Sequence, residues 1–122
     1  MSISLRKLDK YSIIDVHIDK LDLFLVKILR NTLNDLINSS NINILVNLGM
    51  IKSLDSSALG CLVSAQKKCL NKGGELRIYA PNSEILSIFY IIQLDKYINI
   101  FNSEADALHY KNIMIKRRFK IV

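Results

Sequence analysis

The chain has 122 residues, half of them hydrophobic, which suits a single domain with one core. Most of its net charge of +6 comes from the C-terminal twelve residues. Residues 1–110 hold 12 Lys and Arg against 11 Asp and Glu, and the other five basic residues lie within 111–122. A nearly neutral body excludes the basic face of a nucleic-acid-binding domain. No apolar run reaches the ~20 residues of a membrane span and no secretory signal is visible, so we expect a cytoplasmic protein.

The N-terminal third predicts two strands and a long helix. Residues 2–8 and 11–18 are strand-like and are expected to form a hairpin or two neighbouring edge strands. After Asp22 the apolar period becomes helical and predicts a helix of about 16 residues. Its apolar stripe consists of Leu25, Ile28, Leu29, Leu33, Leu36 and Ile37. Beside the stripe lie three more apolar residues that we expect in the core, and that would mark a partner or dimer surface if exposed: Leu23, Phe24 and Val26.

The rest of the chain alternates strands with helices. Strands are predicted at residues 42–48, 75–79 and 98–101, and helices at 56–72, after Pro81 and after Ser103. Gly73 and Gly74 suit the end of the second helix, and Ser103 followed by Asp106 suits the start of the last. The order β-β-α-β-α-β-α-β-α implies right-handed crossovers. We therefore predict an α/β domain with a mixed, largely parallel sheet of four or five strands and about four helices.

The predicted domain covers residues 1–112 and is followed by a basic C-terminal tail, residues 113–122. The tail, IMIKRRFKIV, alternates basic and apolar residues. An extra edge strand, a disordered end and a weak contact with an anionic membrane surface all remain open for it. A short basic segment alone anchors poorly to a membrane, which favours the first two.

The functional signal is concentrated in residues 48–60, LGMIKSLDSSALG. Here a buried strand is expected to end and, after a short loop, Asp55-Ser56-Ser57 leads into a helix. Open α/β sheets place their sites outside the carboxyl ends of strands. The N-terminus of a helix also favours negative charge. From spacing alone, helix capping by this Asp and Ser is the simpler interpretation.

The motif Asp-Ser-Ser-Ala-Leu-Gly, with its flanking strand, loop, amphipathic helix and Gly-Gly, resembles the signature of the anti-sigma factor antagonist family, the STAS domain. Upstream, Asp19-Lys20-Leu21-Asp22 resembles the family's Gly-x-Leu-Asp turn. Asp19 stands in the place of the turn glycine, so a different loop shape is expected there. The resemblance covers about residues 5–110.

This resemblance implies a STAS-like fold and a bacterial protein that regulates transcription by binding other proteins rather than by catalysis. In the family, an anti-sigma factor that is also a serine kinase phosphorylates the serine after the motif aspartate. Carried over, the phosphorylation site is Ser56. The residues expected around it, in contact with the partner, are Asp22, Asp55, Ser57, Leu59 and Gly60. Unmodified protein would bind the kinase and free the sigma factor, and phosphorylation would end that binding; a weak homodimer is also considered.

Two other functions stay open at this level. STAS-like domains also serve as non-phosphorylated adaptor subunits of transporters or stress-sensing complexes. A small hydrolase based on Ser56 and Asp55 would need a nearby histidine, for which His17 is the only candidate.

No catalytic, metal or cofactor site is expected. Neither His17 nor His109 has a cluster of metal-ligating residues around it in the sequence. Cys61 and Cys69 would lie ~12 Å apart along one helix, too far for a disulfide, and are expected to be reduced core residues.

Overall fold

The computed structural model describes residues 2–110, so the predicted boundary at residue 112 and the basic tail lie outside the described residues. The strands are β1 (Ile3–Leu8), β2 (Tyr11–Val16), β3 (Lys20–Leu21), β4 (Asn43–Asn47), β5 (Ser53–Leu54), β6 (Glu75–Tyr79) and β7 (Asn99–Phe101). The helices are α1 (Leu23–Asn38), α2 (Ser56–Asn71), α3 (Ser83–Ile91) and α4 (Glu104–His109), with a 3-10 helix at Leu94–Lys96.

The main sheet has five strands in the order β1-β2-β4-β6-β7. β1 and β2 form an antiparallel hairpin, and every later pair in the sheet is parallel. The prediction of a mixed, largely parallel α/β sheet is therefore confirmed. Of the two alternatives for the first strands, the hairpin is the one observed, with β1 at the edge and β2 inside the sheet.

Two short strands were not predicted. β3 and β5 have two residues each and form a separate parallel pair, with Lys20 opposite Ser53 and Leu21 opposite Leu54. Residues 49–54, expected to be a loop, therefore end in a strand. A strand of two residues shows no hydrophobic period, so a sequence pattern cannot reveal it.

The sheet is covered on both faces. Alternate residues of the inner strands, such as Ile14, Val46 and Ile78, pack with apolar side chains of α1, α2 and α3 in the larger core. The residues pointing the other way form a smaller cluster under α4, which contains Ile13, Leu45, Tyr79 and Ala107. The alternation of strand side chains thus supplies two cores from one sheet.

Helix α1 has the predicted 16 residues and begins after Asp22, whose side chain accepts a hydrogen bond from the backbone N–H of Leu25 at 3.1 Å. Val26 is buried as expected, but the expectation that Leu23 and Phe24 belong to the core is wrong. Leu23 is 58% exposed and Phe24 is 71% exposed. Both lie in the first turn and outside the buried stripe of Leu25 and its successors.

Helix α2 ends where the two glycines were expected to end it. Gly73 has a φ of +88°, the left-handed conformation that favours glycine at a helix C-terminus. Gly74 is required for a different reason: a Cβ there would lie 2.0 Å from the carbonyl oxygen of Ile42. The two residues therefore turn the chain and allow β6 to start beside β4.

The two cysteines are free and buried in α2, as predicted. Burial raises the pKa of both thiols, and it raises that of Cys69 to about 12. Within residues 2–110, no helix has both the length and the apolar character needed to cross a membrane.

Candidate functional site

The β3–β5 pair brings the N-termini of α1 and α2 together. Leu21 lies opposite Leu54, and the next residue, Asp55, donates its backbone N–H to the Leu21 carbonyl oxygen at 2.8 Å. Asp22 follows Leu21 directly and Ser56 follows Asp55. The two predicted motif segments are therefore neighbours in space, and each leads into a helix.

Asp19 anchors the same arrangement through its backbone. Its carbonyl oxygen accepts hydrogen bonds from the N–H groups of Lys52 and Ser53, at 2.7 and 3.0 Å. Asp19 is not among the described residues with a positive φ. The turn is thus built without the conformation that would need a glycine, which explains how Asp can occupy the place of the family's turn glycine.

Asp55 is the N-cap of α2. Its side-chain Oδ1 accepts one hydrogen bond from the backbone N–H of Ser57 and one from the Ser57 hydroxyl, both at 2.9 Å. These bonds favour the charged carboxylate and lower the pKa of Asp55, the backbone bond most strongly. The capping role that spacing suggested belongs to Asp55, and Ser57 is tied to it.

Ser56 differs from both neighbours. Its side chain is exposed, and its hydroxyl makes no hydrogen bond to any residue in the described part of the chain. It stands at the first helical position, where backbone N–H groups without helical partners are concentrated. A serine in this place is open to modification without breaking an existing contact.

The remaining predicted site residues lie on the same two helix starts. Asp22 is exposed and caps α1. Gly60 is exposed one helical turn after Ser56, and a Cβ added to it would meet nothing within 4 Å. Leu59 is partly buried and packs against the larger core. Gly60 is therefore accessible to a partner, whereas the Leu59 side chain mainly packs against the core.

Exposed apolar side chains lie on the segments next to both motifs, and for Leu23 and Phe24 this favours the partner-surface alternative that the sequence left open. Leu23 and Phe24 follow Asp22 at the start of α1, and Met50, 58% exposed, lies in the connection from β4 to β5. Exposed apolar side chains grouped together mark interaction surfaces more often than isolated ones do. Met50 is the member of this set that the sequence interpretation did not single out.

His17 does not form a nucleophilic site in this structure. Its ring nitrogen Nε2 is 2.7 Å from the Ser4 hydroxyl, on the β1–β2 hairpin. Together with Met50, Lys52 and Asn82, it lines an open groove of about 650 Å³ beside the loop. The hydrolase alternative required a histidine that activates Ser56, and no hydrogen bond joins the two.

No group of three or more His, Cys, Asp or Glu side chains within residues 2–110 is arranged to hold a metal ion. The local chemistry consists of an exposed hydroxyl, two capping carboxylates and apolar side chains. The apolar side chains suit contact with another protein, and the exposed hydroxyl is a group that can be modified.

Most of the chain matches a known protein family. The family model of the STAS domain matches residues 4–107. A candidate anti-sigma factor antagonist of Thermotoga neapolitana is 28% identical over 75 residues, which are 62% of this chain and 66% of that protein. This chain thus spans slightly less than two thirds of that relative.

Solved structures share the fold. The crystal structure of a candidate anti-sigma factor antagonist from Thermotoga maritima has a TM-score of 0.77 at 19% identity, covering 87% of this chain and 91% of that one. The Bacillus protein SpoIIAA in its phosphorylated form has a TM-score of 0.70 at 18% identity, covering 87% and 96%. SpoIIAA has also been solved unphosphorylated, as an anti-sigma factor antagonist.

Proposed function

The chain belongs to the STAS domain family, and on that premise we propose that it is an anti-sigma factor antagonist. It binds an anti-sigma factor that is also a serine kinase, through the surface around Ser56 at the N-termini of α1 and α2. Phosphorylation of Ser56 ends the binding and returns the anti-sigma factor to its sigma factor. The role is binding rather than catalysis, in the cytoplasm of a bacterium.

The observation that carries this proposal is the isolation of the Ser56 hydroxyl. Asp55 and Ser57 are occupied with capping α2, while Ser56 between them is exposed and makes no hydrogen bond within residues 2–110. A kinase can reach such a hydroxyl without opening the helix. In support, SpoIIAA, which shares the fold, exists in unphosphorylated and phosphorylated forms.

The charge of a phosphate explains how the switch works. Phosphorylation adds about −1.5 to −2 charge units at neutral pH. The N-terminus of α2 tolerates this charge, since the helix dipole favours anions there. A partner that covers the loop, however, must strip water from the phosphate beside the carboxylates of Asp22 and Asp55. That desolvation costs several kcal/mol unless the partner supplies a cation, and each ~1.4 kcal/mol is tenfold in affinity.

The apolar side chains supply the attraction that the phosphate opposes. Leu23, Phe24 and Met50 are each more than half exposed. Burying side chains of this size contributes about 1.5–3 kcal/mol each when it is complete. A partner that docks over the N-termini of α1 and α2 would gain binding energy by burying these side chains, and the added phosphate would oppose that docking.

The test is to capture the partner and examine Ser56. The tagged protein is expressed in its host, the copurified proteins are identified, and the complex is incubated with ATP. We expect a small ATP-binding protein to copurify, and mass spectrometry to find phosphate on Ser56. Ser56→Ala should bind that partner and resist phosphorylation, whereas Ser56→Asp should bind at least tenfold more weakly.

Two results would refute the proposal. One is a kinase partner that leaves Ser56 unmodified while Ser56→Asp binds as tightly as the native chain. The other is copurification with a membrane transporter, which would favour the adaptor alternative. The adaptor has less support, because the sequence relatives from two Thermotoga species are named anti-sigma factor antagonists, whereas the murine Slc26a9 anion transporter shares the fold at 10% identity.

A further inference from the structure

The loop that leads from β4 to Ser56 is held by two asparagine side chains. The side-chain oxygen Oδ1 of Asn47 accepts a hydrogen bond from the backbone N–H of Gly49 at 2.9 Å. The side-chain Nδ2 of Asn82 donates to the carbonyl oxygen of Ile51 at 3.1 Å. Backbone bonds to Asp19 and Leu21 hold the later part of the loop. Its first turn is held by these two side chains together with the hydrogen bond from the Ile51 N–H to the Leu48 carbonyl oxygen, at 3.1 Å.

Asn47 is itself oriented by a charge. Its Nδ2 donates to Oδ1 of Asp15 at 2.8 Å, and the two residues lie opposite each other where β2 and β4 end. A carboxylate only accepts hydrogen bonds, so it selects the NH₂ side of the amide. The oxygen of Asn47 is then left facing Gly49.

Asp15 is fixed in turn by Arg6. The guanidinium donates from Nε to Oδ2 at 2.5 Å and from a terminal nitrogen to Oδ1 at 2.9 Å. The same terminal nitrogen reaches Glu104 in α4 at 2.6 Å, and the hydroxyl of Tyr79 donates to that carboxylate at 2.6 Å. Ion pairing with Arg6 lowers the pKa of Asp15, so it remains an acceptor at neutral pH.

We propose that Asp15, acting through Asn47, is a positioning residue for the loop that presents Ser56. Asp15 pairs with Arg6 on the α4 face of the sheet, whereas Ser56 follows the loop at the carboxyl rim. The consequence for phosphorylation rests on the function proposed above. The consequence for the loop itself does not.

The chain contains a matched control. Glu75 accepts from Arg77 at 3.0 Å and from Nδ2 of Asn99 at 2.9 Å, the same pairing of a carboxylate with an arginine and an asparagine. It lies at the start of β6, at the opposite rim of the sheet from the loop. Glu75→Gln therefore removes a comparable partly buried charge without touching the support of Gly49.

The primary experiment measures backbone amide hydrogen exchange by NMR in four forms of the full chain: native, Asp15→Asn, Asn47→Ala and Glu75→Gln. Loss of one hydrogen bond is worth about 1 kcal/mol, or roughly fivefold in an equilibrium. We expect exchange at Gly49 and Ile51 to become at least about fivefold faster in the first two variants. It should stay native-like in Glu75→Gln, even if that variant is equally destabilised.

A second measurement connects the loop to the serine. With the copurified kinase, the kcat/KM for phosphorylation of Ser56 should fall at least about fivefold in Asp15→Asn and Asn47→Ala and not in Glu75→Gln. Unchanged exchange at Gly49 would overturn the inference, and so would faster exchange with unchanged phosphorylation. If the native chain is not phosphorylated, the proposed function fails, and the exchange data alone still decide whether Asp15 holds the loop.

Discussion

The side chain of Asp55 accepts two hydrogen bonds from Ser57, one from the backbone N–H and one from the hydroxyl, each at 2.9 Å. These two bonds cap the first turn of α2, and they do not involve the hydroxyl of Ser56, the residue between the two partners. If Ser56 is the modified residue, as proposed, stability and regulation belong to different side chains in this segment of three adjacent polar residues. The two roles can be separated by mutation.

The first prediction concerns that separation. Asp55→Ala removes the N-cap and should lower the free energy of unfolding by about 1 kcal/mol. Ser56→Ala removes an exposed hydroxyl and should change it by less than about 0.5 kcal/mol. Urea denaturation of both variants gives the comparison. Equal losses would mean that Ser56 also has a structural role.

The second prediction concerns the exposed apolar residues of α1. Leu23→Ser and Phe24→Ser should leave stability within about 0.5 kcal/mol, because both side chains are mainly in solvent. Each should weaken binding of the captured anti-sigma factor by tenfold or more, measured by titration calorimetry, because each anchor would lose about 1.5 kcal/mol or more. Lys27→Ser, an exposed polar position in the same helix, is the control. Unchanged affinity in the two apolar variants would place the interface elsewhere.

The third prediction uses two glycines. Gly74→Ala should lower stability by more than about 3 kcal/mol or prevent folding, since its Cβ would fall 2.0 Å from the backbone oxygen of Ile42. Gly60→Ala should raise stability by about 0.5–1 kcal/mol, because it lies inside α2 with open space around it. Thermal unfolding followed by circular dichroism separates the two.

Gly60→Ala also tests the interface. If the partner covers α2 next to Ser56, the added methyl group should weaken binding even though the free protein becomes more stable. A higher free energy of unfolding combined with unchanged affinity for the partner would exclude Gly60 from the interface.

The fourth prediction concerns acid. Arg6 lowers the pKa of Asp15 from its ordinary value of 3.8, and it likewise lowers that of Glu104 from 4.5. A carboxylate with a lowered pKa in the folded state stabilises the fold at pH values above its ordinary pKa. That contribution is lost as the pH falls through the lowered value.

Denaturant midpoints should accordingly be constant between about pH 6 and 7 and should fall steeply below about pH 4. In Asp15→Asn the loss on acidification should be smaller, because one of the two carboxylates no longer titrates. A variant that loses stability in acid as steeply as the native protein would contradict the assignment.

The fifth prediction concerns the thiols. Cys69 is completely buried with its pKa raised to about 12, and Cys61 is buried with a raised pKa. The thiolate is the reactive form, so both should resist a thiol reagent such as Ellman's at pH 8 in the native state. Both should react once the chain is unfolded in guanidinium. Rapid modification of the native protein would show that α2 opens locally.

Much of the fold could be predicted from the spacing of hydrophobic residues along the chain. The stripe that begins at Leu25 predicted α1 to within a residue, and the pair Gly73-Gly74 predicted where α2 ends. These features are local, because the residues that form the buried face of a helix and the residues that end it lie within one short stretch of sequence. The placement of β3 against β5 is not local, since it depends on two residues that meet two others far along the chain.

For the site, the motif predicted Ser56 as the modified residue, which stays a prediction, and it did not predict how the surrounding loop is held. Asp55 and Ser57 suggested capping, and the structure assigns the cap. The exposure of Leu23 and Phe24 contradicts the prediction that apolar residues near a helical stripe join the core. The support from Asn47 and Asp15 was invisible, because nothing in a single sequence announces that two polar residues on neighbouring strands will face each other.

The β3–β5 pair also limits how this protein can change length. Side chains alternate along a strand, so inserting one residue within β3 or β5 would shift their pairing by one residue and turn the buried Leu21 or the partly buried Leu54 toward solvent. Insertions there should be far less tolerated than in the turn between β1 and β2. The β3–β5 pairing that joins the starts of α1 and α2 therefore requires a fixed number of residues in each strand. Deletion scanning should show that these two strands tolerate changes in length less well than the surface turns do.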